Sequence, residues 1–226
     1  MIIDESQITT GVFKQELKNR FRCVVTIDGK DELCYVPSSC RLSNFIELDG
    51  KHVLLTPSIN SVALPLTLLA TAENGKVTIL NLSIANEALF EALKGRRFSF
   101  LGKRQSVRRE VLLNGYKADI YIDDTRTAIE IKTIISSRKS ALFPSIVSKR
   151  SLRQLEHIKE LLEDGYKVCY TFVSLSPNVK RIELDRTSPF YSAFLKCVRE
   201  GMSFYGCSLK YQDGTIRISS TIEVII

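Results

Sequence analysis

Tryptophan and long apolar runs are missing from this chain of 226 residues, and histidine is scarce, with two copies. No apolar stretch approaches the ~20 residues that a membrane-spanning helix needs. The first residues, MIIDESQITTGVFKQELK, are too polar and too acidic for a secretory signal peptide. The sequence therefore predicts a cytoplasmic protein with no membrane partner.

Closely spaced metal-binding cysteines are also missing. The six cysteines lie far apart, with no C-x-x-C pair and no paired histidines, and this spacing argues against a zinc site. In a reducing compartment we expect small, mostly buried free thiols. The six residues are Cys23, Cys34, Cys40, Cys169, Cys197 and Cys207.

Positive charge is in excess, because 32 Lys and Arg against 25 Asp and Glu give a net charge of +7. Basic side chains that neutralise phosphates release condensed counterions, so the excess favours a polyanionic partner such as DNA. Two dense basic segments lie at 94–109 and 138–153. A solvated basic face is the simpler interpretation, but both segments flank the strand described next.

The stretch AIEIKT at 128–133 has the apolar residues of a buried strand together with two charges. Side chains alternate along a strand, so Glu130 and Lys132 share one face. Two interpretations are open: an ion pair at the surface of a sheet, or the centre of a metal-dependent nuclease. Ile129 and Ile131 bury at least one side of the strand, where an unpaired charge is costly.

A second acidic residue, Asp119, lies in YKADIYID on the preceding predicted strand, where Lys117, Asp119 and Tyr121 share one face and Ala118, Ile120 and Ile122 the other. If a hairpin at DDT (123–125) pairs the two strands, Asp119 and Glu130 lie near one end of the sheet. Two carboxylates there can hold Mg²⁺ or Mn²⁺, with water and substrate phosphate completing the shell. Lys132 can then orient or deprotonate the attacking water, or stabilise developing negative charge.

The pattern along the chain changes near residue 82. Residues 1–82 contain short apolar strands with turn signals such as E-N-G at 73–75, and predict a small β-barrel of the OB kind. Residues 83–226 predict a helix, a three-stranded meander, a helix over 148–164 and an apolar central strand. Restriction-endonuclease-like domains have this order, as do many other α/β domains. The 148–164 helix places Arg150 and Gln154 on one face, with His157 one turn further on.

Ordered motifs along nearly the whole chain make it resemble the SfsA family, the sugar fermentation stimulation proteins. The segments that resemble the family are NRF (19–21), VPSSCRLSNFIELDGKHVLL (36–55), IAN with EAL (84–92), REV (109–111), KADIYI (117–122), EIKT (130–133), FPSIVSKRSLRQLEHI (143–158) and STIEVII (220–226). Departures from the family pattern are Lys117 in place of Arg, Ser145 in place of Asp, Ser151 in place of Gly and Gln154 in place of His, and PSSCRL lacks the usual Asn-Thr-Gly.

The resemblance implies an α/β (α+β) chain with two domains: an OB-like β-barrel over 1–82 and a PD-(D/E)xK nuclease-type domain over 83–226. It also implies DNA binding. Carried over position by position, Asp119, Glu130 and Lys132 fall on the nuclease-type triad, and Glu91 falls on an acidic position that completes the metal shell. The residues expected to contact nucleic acid are Arg20, Arg41, Arg108, Lys117, Arg150 and Gln154, whereas Phe21 fits the barrel core as well as a stacking role.

Three functions are weighed. The first is a DNA-binding protein with a Mg²⁺-dependent phosphodiester-hydrolysing centre, and the second is a DNA-binding regulator of sugar metabolism that uses the same fold without turnover. The third, a binding module for a sugar-related ligand, is disfavoured because such sites use exposed aromatic residues and the chain has no tryptophan. A homodimer is compatible with all three.

Overall fold

The structure is a computed structural model that describes residues 2–38, 40–58, 63–73 and 75–226. The N-terminal region is built from six strands, and the predicted turn residue Asn74 and Ser39 of the PSSCRL segment lie outside the described residues. The strands are β1 (Thr9–Glu16), β2 (Arg22–Ile27), β3 (Lys30–Tyr35), β4 (His52–Pro57), β5 (Leu66–Glu73) and β6 (Lys76–Ile79).

The first five strands form a closed barrel, as the sequence predicts. Their order is β3-β2-β1-β4-β5, and a parallel pairing between Tyr35 and Thr67 joins β3 back to β5. Strand β1 precedes the first predicted strand, and its sequence TTGVFKQE buries only Gly11 and Phe13. Closure at Thr67 and the pairing of β6 with Ala70–Glu73 together satisfy the second edge of β5.

The C-terminal region is a six-stranded mixed sheet with helices on both sides. Its elements are α1 (Ser83–Ala92), β7 (Val107–Leu113), β8 (Tyr116–Ile122), β9 (Thr127–Ile134), β10 (Ser140–Phe143), α2 (Lys149–Glu163), β11 (Lys167–Ser174), β12 (Arg181–Leu184), α3 (Pro189–Arg199), β13 (Ser203–Gln212), β14 (Thr215–Thr221) and β15 (Glu223–Ile225). The main sheet has the order β14-β13-β11-β9-β8-β7, and β10-β12-β15 form a small parallel sheet. The predicted helices and the β7–β8–β9 meander are therefore confirmed.

One hydrophobic core runs through the barrel, α1 and one face of the main sheet. It joins Leu55 and Leu80 to Ile129 and Leu209. The Ile79 N–H also donates to the Leu175 carbonyl at 2.9 Å, so β6, which pairs with barrel strand β5, is tied to the segment after β11. The predicted boundary at residue 82 falls between β6 and α1, within a shared core.

A second core fills the opposite face of the main sheet, beneath α2 and α3. The buried side of α2 is Leu155, Ile158 and Leu161, which pack with Tyr170 and Phe172 of β11. Helix α2 begins after Ser148, whose hydroxyl accepts a hydrogen bond from the Ser151 N–H at 3.0 Å. This packing fixes the helix over the middle of the sheet.

The structure also describes the cysteines and the helices for which the sequence made predictions. All six cysteines are free, and five of them are buried, with Cys40 exposed. No helix within the described ranges is long and apolar enough to cross a membrane.

Candidate active site

Strand β9 presents two different faces, and the charged face lies beneath α2. Ile129 and Ile131 pack into the core shared with the barrel, whereas Ala128 belongs to the core under α2. Glu130 and Lys132 share the face of Ala128, and the Lys132 Nζ donates to the Glu130 Oε1 at 2.5 Å. The ion pair is not at a surface, because Glu130 is only 2% exposed.

Tyr116 supplies the second hydrogen bond to Glu130. Its hydroxyl donates to Oε2, and burial together with the facing carboxylate raises the pKa of this tyrosine. The sequence analysis did not identify Tyr116. The sequence feature that could have pointed to Tyr116 is its position at the start of β8, directly after the Asn114–Gly115 turn. Strand β8 is the neighbour of β9, which carries Glu130 and Lys132.

Helix α2 adds a third partner to the network. Gln154 accepts a hydrogen bond from the Lys132 Nζ through Oε1 at 2.7 Å, so the ammonium is held between a carboxylate and an amide oxygen. The Lys132 side chain is 20% exposed and can be reached from solvent. His157 is exposed, and its Nδ1 lies 3.1 Å from the Glu160 carboxylate. Its ring lies near that of Tyr116, with centroids 6.2 Å apart, but it forms no hydrogen bond with the network among the described residues.

Asp119 stands where β8 separates from β9. The β8–β9 pairing ends at Ile120 and Ile129, and beyond it the Asp119 Oδ2 accepts a hydrogen bond from the Ile131 N–H at 2.8 Å. Burial and then the charge of Glu130 raise the pKa of Asp119 from 3.8 to about 6. The two carboxylates are therefore close enough to repel each other, as the predicted shared end of the sheet requires.

The alternation predicted for β8 is wrong at this point. Ala118 packs into the core under α2, whereas Ile120 and Ile122 pack into the core shared with the barrel. The irregularity is shared with β7, where Glu110, the residue opposite Asp119, has a left-handed φ of 55°. The register is the same on both sides of this position, so no residue is inserted and the change is one of local backbone conformation.

The donor set fits a divalent cation with two protein ligands. Asp119 and Glu130 offer hard oxygen atoms, and burial first and the charge of Glu130 second raise the pKa of Asp119. Mg²⁺ is commonly held by one or two carboxylates, with water and substrate phosphates as its other ligands. Burial, and after it the charge of Glu130, raise the pKa of the Tyr170 hydroxyl, which has no hydrogen-bond partner in the described part of the chain.

Glu91 is not brought to this pair. Its carboxylate binds Lys94 at 2.8 Å on the exposed side of α1. Over the described residues, no group of three or more His, Cys, Asp and Glu side chains is arranged to hold a metal ion. The third acidic ligand implied by the resemblance is thus absent from the site in this structure, because α1 presents its buried face, not Glu91, to the shared core.

The basic residues expected to bind nucleic acid divide into paired and unpaired groups. Arg108 is held by Asp123 with Nε–Oδ2 at 2.9 Å, and Lys117 is held by Glu110 at 2.7 Å. Lys94, Lys103 and Arg109 of the first basic segment also pair with carboxylates. Much of the 94–109 cluster is therefore neutralised within the protein.

The unpaired group lies at the start of α2 and on the barrel. Lys149, Arg150 and Arg153 are exposed, and none forms an ion pair with any residue that the structure describes. Arg20 and Arg41 are also exposed and without a carboxylate partner there. Phe21 is 39% exposed, so of its two open interpretations the structure supports a surface position and not the barrel core.

Comparison with known proteins gives consistent matches. The family model described as the sugar fermentation stimulation protein RE domain matches residues 83–215, more than half of the chain. The sugar fermentation stimulation protein homolog of Acetivibrio thermocellus is 25% identical over 232 aligned residues, covering 98% of both chains. The homolog of Caldanaerobacter subterraneus subsp. tengcongensis is 24% identical and covers 100% of both.

A solved structure supports the same fold. The structure of Pyrococcus furiosus SfsA in complex with Ca²⁺ superposes on this chain with a TM-score of 0.85 and 21% sequence identity, covering 100% of both chains. At this identity the likeness concerns the architecture: a five-stranded N-terminal barrel and a C-terminal mixed sheet.

Proposed function

Because the chain belongs to the SfsA family, we propose that it is a DNA-binding protein with a Mg²⁺- or Mn²⁺-dependent nuclease-type centre of the PD-(D/E)xK kind. The centre consists of Asp119, Glu130 and Lys132, and it hydrolyses a phosphodiester bond.

One observation carries this proposal: Lys132 is held between Glu130 and Gln154 on a buried strand, beside a second carboxylate. Burying charges is costly, and a fold that needed only stability could place apolar residues there. A carboxylate whose pKa is raised by burial and by a specific charged neighbour, as for Asp119, marks a candidate functional site.

Each residue of the centre has a separate task. Asp119 and Glu130 would hold the cation, which when bound would activate water and offset charge on the phosphate. The Lys132 ammonium orients the attacking water through its third hydrogen, since its other two are directed at Glu130 and Gln154. The Ile131 N–H fixes Asp119, so the carboxylate is oriented before substrate arrives.

The first turn of α2 is the surface best suited to the DNA backbone. Lys149, Arg150 and Arg153 are unpaired among the described residues, and Gln154 in the same helix contacts the catalytic lysine. The N-terminal end of a helix also carries a positive dipole that favours phosphate. A strand bound here would lie next to Lys132.

A second candidate is a DNA-binding regulator without turnover. The observation in its favour is that both Glu130 oxygens already accept hydrogen bonds and that Glu91 lies apart, so the cation would have few protein ligands. The fold and the DNA-binding surface are the same for both candidate functions. The two differ only in whether the protein hydrolyses a phosphodiester bond.

The deciding experiment is DNA cleavage by the full-length protein in Mg²⁺ or Mn²⁺, with Lys132→Ala as the test variant. We expect cleavage by the wild type, its loss in Lys132→Ala, and unchanged DNA affinity. Lys159→Ala is the matched control, since Lys159 is an exposed lysine paired with Glu163 on the far part of α2. Wild-type DNA binding without metal-dependent cleavage would favour the regulator.

A further inference from the structure

The loop between β1 and β2 presents an aromatic side chain to solvent. Phe21 is held outward by a turn in which its N–H donates to the Asn19 Oδ1 at 3.1 Å and its carbonyl accepts from the Val36 N–H at 2.9 Å. Its ring stacks near Tyr35 of β3, with centroids 6.5 Å apart and planes 20° from parallel. The Arg20 guanidinium lies 4.7 Å from the ring centroid.

Two cavities open on either side of Arg20 and Phe21, which line both of them. The first, about 560 Å³, is polar and basic, with Lys18, Arg20 and Arg41 in its walls. The second, about 830 Å³, is largely apolar where Tyr35, Pro37 and Leu69 line it. The pair forms a surface with a charged compartment next to an apolar one.

The cations of the first cavity are available for a ligand. Lys18, Arg20 and Arg41 form no ion pair with the described residues, and Arg41 is positioned by the Lys18 carbonyl, which accepts from its Nη2 at 3.2 Å. The nearby carboxylate of Glu16 is already bound by the main-chain N–H groups of Leu42 and Ser43, at 2.7 and 2.9 Å. The cavity therefore presents positive charge, in contrast to the neutralised 94–109 segment.

Resting on the proposed function, we infer that this surface of the barrel binds single-stranded nucleic acid. A phosphate of the strand occupies the basic cavity at Lys18, Arg20 and Arg41, and the neighbouring base enters the apolar cavity against Phe21 and Tyr35. Aromatic side chains stack on bases of any sequence, whereas the bases of a duplex are stacked on each other and present no free face. The basic cavity alone would bind either form, and the aromatic wall selects the unpaired strand.

The test compares two labelled DNA molecules by fluorescence anisotropy with the full chain and no divalent metal. One is an oligo(dT) strand of about 15 nucleotides, near the upper site size of an OB fold, and the other is a hairpin duplex. Phe21→Ala should weaken binding of the single strand by about 10-fold or more and leave duplex affinity within about 2-fold, since stacking is lost and charge is kept. Arg41→Gln should weaken both.

Two further variants keep the comparison informative. Phe21→Leu preserves an apolar side chain of similar size, so it retains the fold but should lose most of the single-strand preference. Phe100→Ala is the matched control, because Phe100 is 54% exposed but packs with Phe98 and Tyr205 in the C-terminal region. It should bind both DNA molecules as the wild type does.

The outcomes separate this inference from the proposed function. A full chain that binds neither DNA at low salt overturns both. A chain that binds both DNA molecules, with Phe21→Ala and Phe21→Leu equal to the wild type on oligo(dT), overturns the single-strand inference and leaves the proposed function in place.

Discussion

The Ile131 N–H donates to the Asp119 carboxylate at 2.8 Å, at the point where β8 and β9 stop pairing. The side chain thus takes the place of a main-chain carbonyl that a continued ladder would supply. Asp119 is also near Glu130, whose charge is the second cause, after burial, of its raised pKa. The aspartate is thereby held in one orientation at the end of the β8–β9 pairing.

The first prediction concerns the pH dependence of stability. The pKa of Asp119 rises from 3.8 to about 6 on folding, so the folded protein binds this proton more tightly than the unfolded chain does. The contribution to stability is therefore fully present below about pH 4 and is lost as pH rises through about 6, by roughly 1–3 kcal/mol. Asp119→Asn, which can still accept from Ile131, should remove this loss in urea titrations between pH 4 and 7.

Asp49→Asn serves as the control, because Asp49 is an exposed turn residue. If wild type and Asp119→Asn differ by the same free energy at every pH, the carboxylate does not titrate in this range and the electrostatic account of the site is wrong.

The second prediction concerns metal binding. Millimolar Mn²⁺ should raise the melting temperature of the wild type by roughly 5–10 °C if the concentration is about 100 times the dissociation constant. Glu130→Gln should abolish the rise, whereas Lys132→Ala should keep it, because the lysine is not a ligand. The control is Glu91→Gln, which should also keep the rise since Glu91 pairs with Lys94 away from the site. A wild-type melt unmoved by Mn²⁺ would remove the metal site.

The third prediction tests the network around Glu130. Tyr116→Phe removes a hydroxyl that donates to a buried carboxylate, and should lower the free energy of unfolding by about 1–3 kcal/mol. The cost should shrink in a Glu130→Gln background, and the double-mutant cycle gives the coupling between the two side chains. Tyr121→Phe is the control, since no described residue hydrogen-bonds to that hydroxyl. Additive effects of the two changes would contradict the contact.

The fourth prediction separates the unpaired cations from the paired ones. Arg150→Gln should reduce the slope of log affinity for duplex DNA against log salt by about 1, as expected for one lost phosphate contact. Lys117→Gln should change the slope little, because Lys117 is held by Glu110 at 2.7 Å. Equal salt-dependence slopes for Arg150→Gln and Lys117→Gln would contradict this prediction. They would show that ion pairing within the protein does not determine which cations contact DNA.

The fifth prediction concerns the core that the barrel and the main sheet share. Leu80 is fully buried in it, so Leu80→Ala should cost about 2–5 kcal/mol. If the two regions unfold together, hydrogen exchange of β5 and β11 should accelerate by the same factor. Faster exchange confined to β5 would show that the barrel opens independently.

The sequence predicted the parts of this protein that local periodicity controls. The three-stranded meander, the helices at Ser83–Ala92 and Lys149–Glu163, and the common face of Glu130 and Lys132 all follow from periods of 2 and 3.6 residues. The barrel and the family could also be predicted, because turn signals and ordered motifs can be read directly from the sequence.

Only the tertiary structure decided which distant side chains meet. Tyr116 reaches Glu130, and Asp119 accepts from the Ile131 N–H, in the part of β8 that departs from β9 beyond the Ile120–Ile129 pair. That departure depends on twist and on contacts between strands. Strand periodicity, which assumes a regular ladder, cannot show it.

The same reason governs the charged and aromatic surfaces. Sequence spacing counts Arg108 and Arg150 as equal cations, yet the fold gives Arg108 a carboxylate partner and leaves Arg150 without one among the described residues. Phe21 fits a core or a surface equally well by sequence, and in the fold its ring is 39% exposed and stacked near Tyr35 of β3. Whether a charge is neutralised or a ring is exposed depends on residues that are distant along the chain. Only the folded structure shows which of those residues lie next to it.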